Sequence, residues 1–522
     1  MPHAGWTEPI VHWRVKVFAL LVFFVFMAAS LIGLGWYPMP HCDEANHAAV
    51  SYSFFHHGRF TLDYLDDLGA YGKNFASQGR LYHTTKGLLL EVFGYTLFAG
   101  RLYSWLGGLL AALFVYLTGR RLYNEPAGLL GALVLAASGN AFYASHVGRE
   151  ETWVVASGMG ILYYYLVIRD APTRLRYTFL GLLTALTVGI HPNTVWYSLP
   201  VGVLALTGNV RTSKGRVYIL FLALGSVMGA ALVIAMQLLP DPAAALDNLR
   251  FEAAGNYLLT GGLWQRVLDQ LAFMRGYYLT NLNGSAALAT AYFALGVIYA
   301  VWRRTSSDRL LLAVWSISFL SFTLLLSHKS PFYGVTWEPL LAVLAGAALV
   351  RLPIDLPDWT RPLGVARLAV LLAAPLLLLG LAAQVWLTAK FSPRDFNRYL
   401  AEVSAQIPPH VHVMADPALW FAFQGRLAFT ADTYLDYCRA GGMCSDLTAQ
   451  EAARLVKALG IDYVVEDGAA GCAASTTPTS QAWADYLAEA CTRVGTVQDR
   501  WFGADGQLAQ GRETHIYDCT VP

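Results

Sequence analysis

The chain has 522 residues, of which 56% are hydrophobic and only 14% are charged, and its formal net charge is +1. Soluble globular proteins carry roughly a quarter charged residues, so this composition excludes an ordinary soluble protein. The small net charge, with no basic tract and no zinc-type Cys/His spacing, gives no reason to expect a nucleic-acid partner. Apolar runs recur from the amino terminus to about residue 390 and predict a polytopic α-helical membrane protein.

The amino terminus combines basic residues with a long apolar run. Arg14 and Lys16 stand at the start of the run 15–37, a pattern that secretory signal peptides share. The run is longer than a signal-peptide core, and Trp36-Tyr37-Pro38 is not a small-residue cleavage site. We therefore interpret this segment as a retained first membrane helix.

About 20 apolar residues cross a bilayer as a helix, and about 11 runs are candidate spans. They lie at 15–37, 98–118, 126–144, 152–168, 176–190, 194–207, 216–239, 284–302, 309–327, 333–350 and 364–387. The runs 176–190 and 194–207 are short, so they either tilt or form one re-entrant hairpin, which leaves the later orientation unchanged. Short loops rich in Arg and Lys alternate with poorer ones, and this bias places the amino terminus on the inner side.

Two long connections, 38–97 and 240–283, fall on the outer side. In the first, 45–57 has the pattern of an interfacial amphipathic helix, while Lys73 and Lys86 add positive charge. These cations suit either anionic lipid headgroups or a phosphate-bearing substrate. Long loops with structure of their own are often functional, so we expect part of a site in the first loop.

The composition changes near residue 390, so we predict a membrane domain at 1–389 and a soluble outer domain at 390–522. Strand-like runs at 410–415 and 461–465 alternate with helical segments at 395–405 and 448–459, which predicts a small α/β domain. The second of these helices opens on a capping box, Thr448-x-x-Glu451.

Five of the six cysteines lie in this predicted outer domain, where disulfides are permitted. Cys438 and Cys444 flank a Gly-Gly turn and are the first pair that we expect. The other three leave one odd thiol, and their connectivity is not set by the sequence. Cys42, in the first loop, is interpreted as a buried thiol.

Charged residues recur in four outer loops close to the membrane. They are Asp43-Glu44, Arg149-Glu150-Glu151, His191 and His328-Lys329. Charge placed against a bilayer is costly and usually functional. Each group also has a simpler interpretation, since acids stabilise a helix start and Arg149 can pair with the glutamates beside it. Four such loops on one side favour a functional site.

A carboxylate beside several cations suits transfer of a group from a lipid phosphate. Asp43 could accept the proton of an acceptor hydroxyl, and Arg149, Lys329 or Lys86 could stabilise the departing phosphate. A divalent metal is conceivable because His41 and His47 flank the acids. No HxxxH or CxxC spacing supports one, so we assign no metal ligand.

Six short motifs share an order along the chain and an association with the outer side. They lie at 43–45, 98–104, 116–123, 143–151, 189–193 and 327–333. Together they resemble the GT-C membrane glycosyltransferases, in the branch that contains the protein O-mannosyltransferases and the lipid A aminoarabinose transferase. The resemblance covers roughly 15–350. It implies an inverting transferase that uses a polyprenyl-phosphate-linked sugar on the outer face.

The resemblance also implies roles for individual residues. Asp43 would be the catalytic base, and Glu44 would orient the loop or assist. Arg149 would bind either the donor phosphate or the first-loop carboxylates, and Glu150 departs from the Asp that often follows in relatives. The residues implied in holding the donor phosphate and substrate are His328, Lys329 and Tyr333 in the late loop, and Lys73 or Lys86 in the first.

We therefore predict a GT-C-type glycosyltransferase of a bacterial cytoplasmic membrane, with an extracytoplasmic active site and carboxy-terminal domain. Its partners would be a polyprenyl-phosphate sugar, membrane lipids and a lipid, glycan or protein acceptor. The alternatives are a lipid-diphosphate oligosaccharide transferase or polymerase, a transporter and a non-catalytic scaffold. A transporter would want charges at mid-membrane depth and inverted repeats, and we see no clear repeat.

Overall fold

The structure is a computed structural model. It describes residues 9–38, 40–65, 75, 79–252, 262–280, 284–326, 330–355, 365–391, 396–424, 429–431, 448–467, 479–499 and 512–520.

The chain is mostly helical up to residue 391. The helices of this part are α1 (Pro9–Ile32), α2 (Cys42–His57), α3 (Arg80–Phe93), α4 (Leu97–Leu122), α5 (Glu125–Ala137), α6 (Gly139–His146), α7 (Glu151–Ile168), α8 (Arg174–Leu186), α9 (Val195–Asn209), α10 (Ser213–Leu238), α11 (Pro242–Glu252), α12 (Leu263–Arg275), α13 (Gly284–Arg303), α14 (Ser306–Leu325), α15 (Glu338–Asp355) and α16 (Val365–Phe391). Short 3₁₀ turns lie at Asp63–Leu65, Thr187–Gly189, Pro192–Thr194 and Pro331–Trp337.

Six segments in the described part of the chain are long and apolar enough to cross a membrane. They are Leu97–Leu122, Glu151–Ile168, Ser213–Leu238, Ser306–Leu325, Phe332–Leu352 and Ala373–Lys390. The chain is therefore a multi-pass membrane protein. The larger number, about 11 spans, stays a prediction, because helices such as α8 and α9 are too short to pass the same test.

The predicted span 126–144 is two helices, not one. Helices α5 and α6 meet at Ser138 with a bend of 65°. The Ser138 hydroxyl accepts the Ala141 N–H at 3.5 Å as the cap of α6, and it donates to Glu338 Oε2 at 2.8 Å. A serine that caps a new helix and holds a buried carboxylate thus breaks the apolar run, and the pair counts as at most one further span.

Helices α8 and α10 lie against each other at backbone distance. A Cβ built on Gly181 would lie 2.0 Å from the carbonyl oxygen of Leu222, and one on Gly225 would lie 1.9 Å from that of Thr178. Small residues at such positions allow membrane helices to approach closely. A larger side chain at either glycine would force α8 and α10 apart.

The carboxy-terminal part contains a small five-stranded sheet. Its described helices are α17 (Phe396–Ala405), α18 (Trp420–Phe423), α19 (Ala449–Leu459) and α20 (Thr479–Ala490), and its strands are β1 (Val413–Ala415), β2 (Phe429–Ala431), β3 (Tyr463–Asp467), β4 (Thr492–Asp499) and β5 (Arg512–Asp518). The strand order is β2-β1-β3-β5-β4, parallel from β2 to β3 and antiparallel from β3 to β4. Thr448 and Glu451 form the predicted capping box of α19.

The described cysteines are all disulfide-bonded. Cys491 pairs with Cys519, while the expected pair of Cys438 and Cys444 lies outside the described residues. Cys42 is also disulfide-bonded, so the prediction of a thiol there is wrong. Five cysteines in the carboxy-terminal part cannot all pair with one another, and Cys42 is the sixth.

Helix α2 is enclosed by protein, which corrects the prediction of an interfacial helix at 45–57. Its Ala45, Ala48 and Val50 are fully buried, and they share a core cluster with Trp420 of α18. The 3₁₀ turn Pro417–Leu419 contacts the same helix. The apolar face of α2 is therefore covered by the carboxy-terminal part of the chain.

Candidate functional site

Helix α2 begins at the two predicted catalytic acids. His41 is its cap: Nδ1 accepts the Asp43 N–H at 3.2 Å, and the His41 N–H donates to Glu44 Oε2 at 2.8 Å, which closes a capping box. Burial, together with the Arg149 guanidinium, lowers the pKa of His41 to about 4. The imidazole is therefore neutral, as a hydrogen-bond acceptor must be.

Glu44 points into the protein and its carboxylate is fully used. Arg101 of α4 donates to both of its oxygens, at 2.8 and 2.9 Å, and the Gly148 N–H donates to Oε1 at 2.6 Å. The Glu44 side chain is only 2% exposed. Burial alone would raise its pKa, but Arg101 and these hydrogen bonds hold that pKa below its usual value. Glu44 thus fixes α2 against α4.

Asp43 points elsewhere, because successive helix positions differ by about 100° in direction. Its side chain is 29% exposed. Arg149 contacts Asp43 Oδ2 through Nη1, and Asn46 Nδ2 donates to Oδ1 at 3.4 Å. Asp43 is thus held by Arg149 at the protein surface, with part of its carboxylate exposed.

Arg149 joins the turn before α7 to the start of α2. Its Nη2 and Nε donate to Glu151 Oε1 at 2.7 and 3.0 Å, while Nη1 contacts Asp43. The Phe332 ring covers the guanidinium at 4.4 Å, in cation–π geometry. Burial lowers the pKa of Arg149, but the carboxylates of Glu151 and Glu150 outweigh that and raise it. Arg149 is therefore a permanent cation at the centre of the site.

Glu150 holds three segments together from within the protein. His47 Nε2 of α2 lies 2.9 Å from Glu150 Oε2, and His191 Nε2 lies 3.3 Å from Oε1. His191 Nδ1 accepts the Asn193 N–H at 3.0 Å, so its proton belongs on Nε2, facing the carboxylate. Burial would raise the pKa of Glu150, but His47 and Arg149 hold it well below its usual range.

Lys86 is fully buried beneath the loop that contains Gly148. Its Nζ donates to the carbonyl oxygen of Gly148 at 2.7 Å, and the N–H of the same residue donates to Glu44, so the backbone of Gly148 binds both side chains. Burial lowers the pKa of Lys86 to about 7. The expectation of a basic face on lipid headgroups does not describe Lys86, because it is buried rather than exposed.

The remaining predicted residues are in part outside the described chain. Tyr333 follows Phe332 in the turn Pro331–Trp337. It is close enough to Arg149 to raise the pKa of the guanidinium. Lys73, His328 and Lys329 lie outside the described residues. The structure thus brings Asp43, Arg149, Glu150 and His191 to one place, as the common outer side predicts.

Three residues with no assigned role also belong to this cluster. They are His47, Arg101 and Phe332. Arg101 and Phe332 stand inside two of the motifs that carry the family resemblance, and a lone arginine in an apolar run was the available signal. His47 lies four residues after Asp43, but only the structure shows that its partner is Glu150.

One group of side chains has the spacing of metal ligands, since the ligand atoms of His41, Cys42 and Asp43 lie within 4.8 Å of one another. It does not fit a metal. Cys42 is disulfide-bonded, and His41 Nδ1 already accepts the Asp43 N–H. Cys42 therefore offers no thiolate and His41 Nδ1 is already used, so these atoms do not form a three-ligand metal site.

Comparison with known proteins places this geometry in context. A family model described as dolichyl-phosphate-mannose-protein mannosyltransferase matches residues 84–236. The apo structure of ArnT from Cupriavidus metallidurans matches with a TM-score of 0.64 at 15% identity, over 98% of each chain. This chain resembles the GT-C membrane glycosyltransferases. No curated protein matches it by sequence.

Two other solved structures share the GT-C fold with this chain. ArnT bound to undecaprenyl phosphate matches with a TM-score of 0.61 at 15% identity, over 97% of each chain. An Archaeoglobus fulgidus oligosaccharyltransferase, tethered to an acceptor peptide, matches with a TM-score of 0.55 at 15% identity, over 87% of this chain and 70% of the other. The family match includes Lys86, Arg149 and His191 and excludes Asp43.

Proposed function

We propose that this protein is an inverting glycosyltransferase that moves a sugar from a polyprenyl-phosphate donor to an acceptor hydroxyl. The observation that carries the proposal is the pair of adjacent acids at the start of α2. Glu44 is buried and satisfied by Arg101, whereas Asp43 is partly exposed and is held by Arg149. A site that fixes one carboxylate and presents the other suits a general base.

The chemistry is a single displacement. The acceptor O–H gives its proton to the Asp43 carboxylate while its oxygen attacks the anomeric carbon of the sugar. The bond from that carbon to the phosphate oxygen breaks, and the polyprenyl phosphate leaves with the electron pair. One displacement inverts the configuration at the anomeric carbon. Arg149 keeps Asp43 ionised and oriented, and Glu44 fixes the helix that carries it.

The leaving phosphate needs positive charge at a different point. In the described cluster the guanidinium of Arg101 is already bound by Glu44, and that of Arg149 by Asp43 and Glu151. We assign phosphate binding to the late loop, where His328 and Lys329 precede Phe332 and Tyr333. The solved complex of ArnT with undecaprenyl phosphate supports a lipid phosphate as the leaving group. Lys86 acts from beneath, through Gly148, as a positioning residue.

The same proposal covers the setting of the site. We propose about 11 spans, a membrane domain at 1–389 and an outer α/β domain at 390–522. The active site and the outer domain lie on the extracytoplasmic side of a bacterial cytoplasmic membrane. The alternation of basic loops supports this orientation. The mechanism contains no step through a metal ion, because the residues nearest to Asp43 do not fit one.

A second candidate is transfer from a lipid-diphosphate oligosaccharide. The likeness to the Archaeoglobus fulgidus oligosaccharyltransferase favours it. The match to ArnT spans nearly all of both chains, whereas this chain covers 70% of the oligosaccharyltransferase. We therefore place the monophosphate donor first.

The test is release of lipid product by the purified protein in nanodiscs. A panel of polyprenyl-phosphate sugars, with a lipid-diphosphate oligosaccharide as a further member, is incubated with envelope lipid and glycan extracts. The proposal predicts that one monophosphate donor releases polyprenyl phosphate. Turnover of the diphosphate donor alone would select the second candidate, and turnover of none would reject both.

A further inference from the structure

A cavity lies away from Asp43, between the first loop (38–97) and the carboxy-terminal part of the chain. Its volume is about 530 Å³, which is in the range of small-molecule sites. One wall is formed by Tyr52 of α2 and by Tyr95, and the other by residues of α17 and α18. The aromatic and polar residues that line it are Tyr52, Tyr95, Asn397, Ser404, Phe421 and Gln424. We call this cavity the interdomain cleft.

The chemistry of the cleft selects a neutral polar ligand. Among the described residues that line it, none carries a formal charge. A phosphate would call for Arg or Lys, and a lipid tail would call for predominantly apolar walls. Aromatic rings, amides and hydroxyls occur here together. Sugar rings match this set, because their C–H faces pack against aromatic rings and their hydroxyls exchange hydrogen bonds with amides.

The walls are held in place by contacts behind them. Tyr52 stacks on His56 with ring centroids 4.0 Å apart, and the Tyr95 hydroxyl donates to Glu91 at 2.7 Å. Gln424 Nε2 donates to the Tyr95 carbonyl oxygen at 2.6 Å and so ties the two walls together. Its buried Oε1 has no hydrogen-bond partner in the described part of the chain.

The cleft and the candidate base share one helix. Tyr52 follows Asp43 by nine residues in α2, which places it about 14 Å farther along the helix axis. Nine residues also turn the helix by about 900°, so the two side chains lie on opposite faces of α2, and Ala48, Ala49 and Val50 between them are buried. The cleft is therefore a site of its own, separate from Asp43.

We propose that the interdomain cleft binds a neutral saccharide, in addition to the glycosyltransferase function proposed above. The lining of the cleft supports this site by itself, so the donor chemistry stays with Asp43 and Arg149.

The first test measures binding without catalysis. Full-length protein in nanodiscs is titrated with linear trisaccharides of mannose, glucose, galactose and N-acetylglucosamine, followed by saturation-transfer difference NMR. Ala401→Trp fills the cleft from an exposed position of α17, and Ala405→Trp adds the same bulk to the same helix outside it. We expect at least one trisaccharide to bind the wild type and Ala405→Trp, and to bind Ala401→Trp about tenfold more weakly.

Two results would overturn the proposal: no trisaccharide binds the wild type, or Ala401→Trp binds as the wild type does. Asn397→Ala, also at an exposed position of α17, removes an amide without adding bulk and decides the matter if Ala401→Trp unfolds. A separate assay follows release of polyprenyl phosphate to water. We expect Ala401→Trp to match the wild type there. Loss of release in Ala401→Trp alone would contradict the separation of the cleft from the Asp43 site.

Discussion

Glu44 and Arg101 form a buried ion pair in which the guanidinium donates to both carboxylate oxygens, at 2.8 and 2.9 Å. The two residues are 57 positions apart in the chain, and they join the helix that carries Asp43 to the apolar helix α4. The position of Asp43 therefore depends on Glu44, a residue that does not contact the substrate.

Glu44→Gln should destabilise the fold, because it leaves the charge of Arg101 buried without a counter-ion. Removing one partner of a buried pair costs about 3–5 kcal/mol. We expect a clear fall in Tm by thermal unfolding in detergent. Asp43→Asn is the matched control, with a partly exposed carboxylate and little expected change in Tm. Equal Tm values for Glu44→Gln and the wild type would contradict the structural role of Glu44.

Arg149→Lys should lower turnover by about 100-fold or more without unfolding the protein. The planar guanidinium binds Asp43 and Glu151 at the same time, and an ammonium group cannot reproduce that fork. The readout is release of polyprenyl phosphate. Arg121→Lys is the control, because Arg121, in the last turn of α4, pairs with the exposed Asp170 and should retain activity within about twofold. Wild-type activity of Arg149→Lys would show that the fork is not needed.

His41→Asn should remove part of the acid sensitivity of the fold. The pKa of His41 lies near 4 in the folded protein, below its ordinary value of 6.5. The unfolded chain therefore binds the proton first, and stability is lost as the pH falls from about 6.5 to 4. Asparagine keeps an acceptor at the helix cap and does not titrate. We expect the Tm of the wild type to fall more than that of His41→Asn over this window, and parallel curves would refute the assignment.

Lys86→Met should change the pH dependence of stability in the alkaline range. The pKa of Lys86 is about 7 in the fold and 10.5 as its ordinary value. Between these values the unfolded chain binds the proton and the folded chain does not, so the wild type gains about 1.4 kcal/mol per pH unit. The difference in Tm between wild type and Lys86→Met should therefore move in favour of the wild type from pH 7 to 9. A difference in Tm that does not change with pH would mean that Lys86 is exposed to water in the folded protein.

The sequence predicts the positions of helices well wherever one long apolar run makes one helix. It also predicts the capping box of α19 and the meeting of Asp43 with Arg149, because motifs on one side of a membrane share one surface. It does not predict the bend at Ser138, since a serine in an apolar run carries no signal for the cap it forms.

Local sequence patterns also do not predict the burial of the first loop. Helix α2 looks amphipathic and exposed in sequence, but Trp420 and the turn Pro417–Leu419 cover it from a distant part of the chain. Lys86 looks like a surface cation, yet its partner is a backbone carbonyl, Gly148, which no side-chain pattern reveals. Contacts from a distant segment explain the burial of α2, and a hydrogen bond to the backbone explains the burial of Lys86.

The central claim is that Asp43 is the catalytic base, and single-turnover transfer by Asp43→Asn tests it most directly. The wild type and the variant are loaded in nanodiscs with the donor that the panel identifies, and formation of glycosylated acceptor is followed in time. We expect Asp43→Asn to bind the donor, to keep the Tm of the wild type and to form no product. Product formation by Asp43→Asn at the wild-type rate would contradict it.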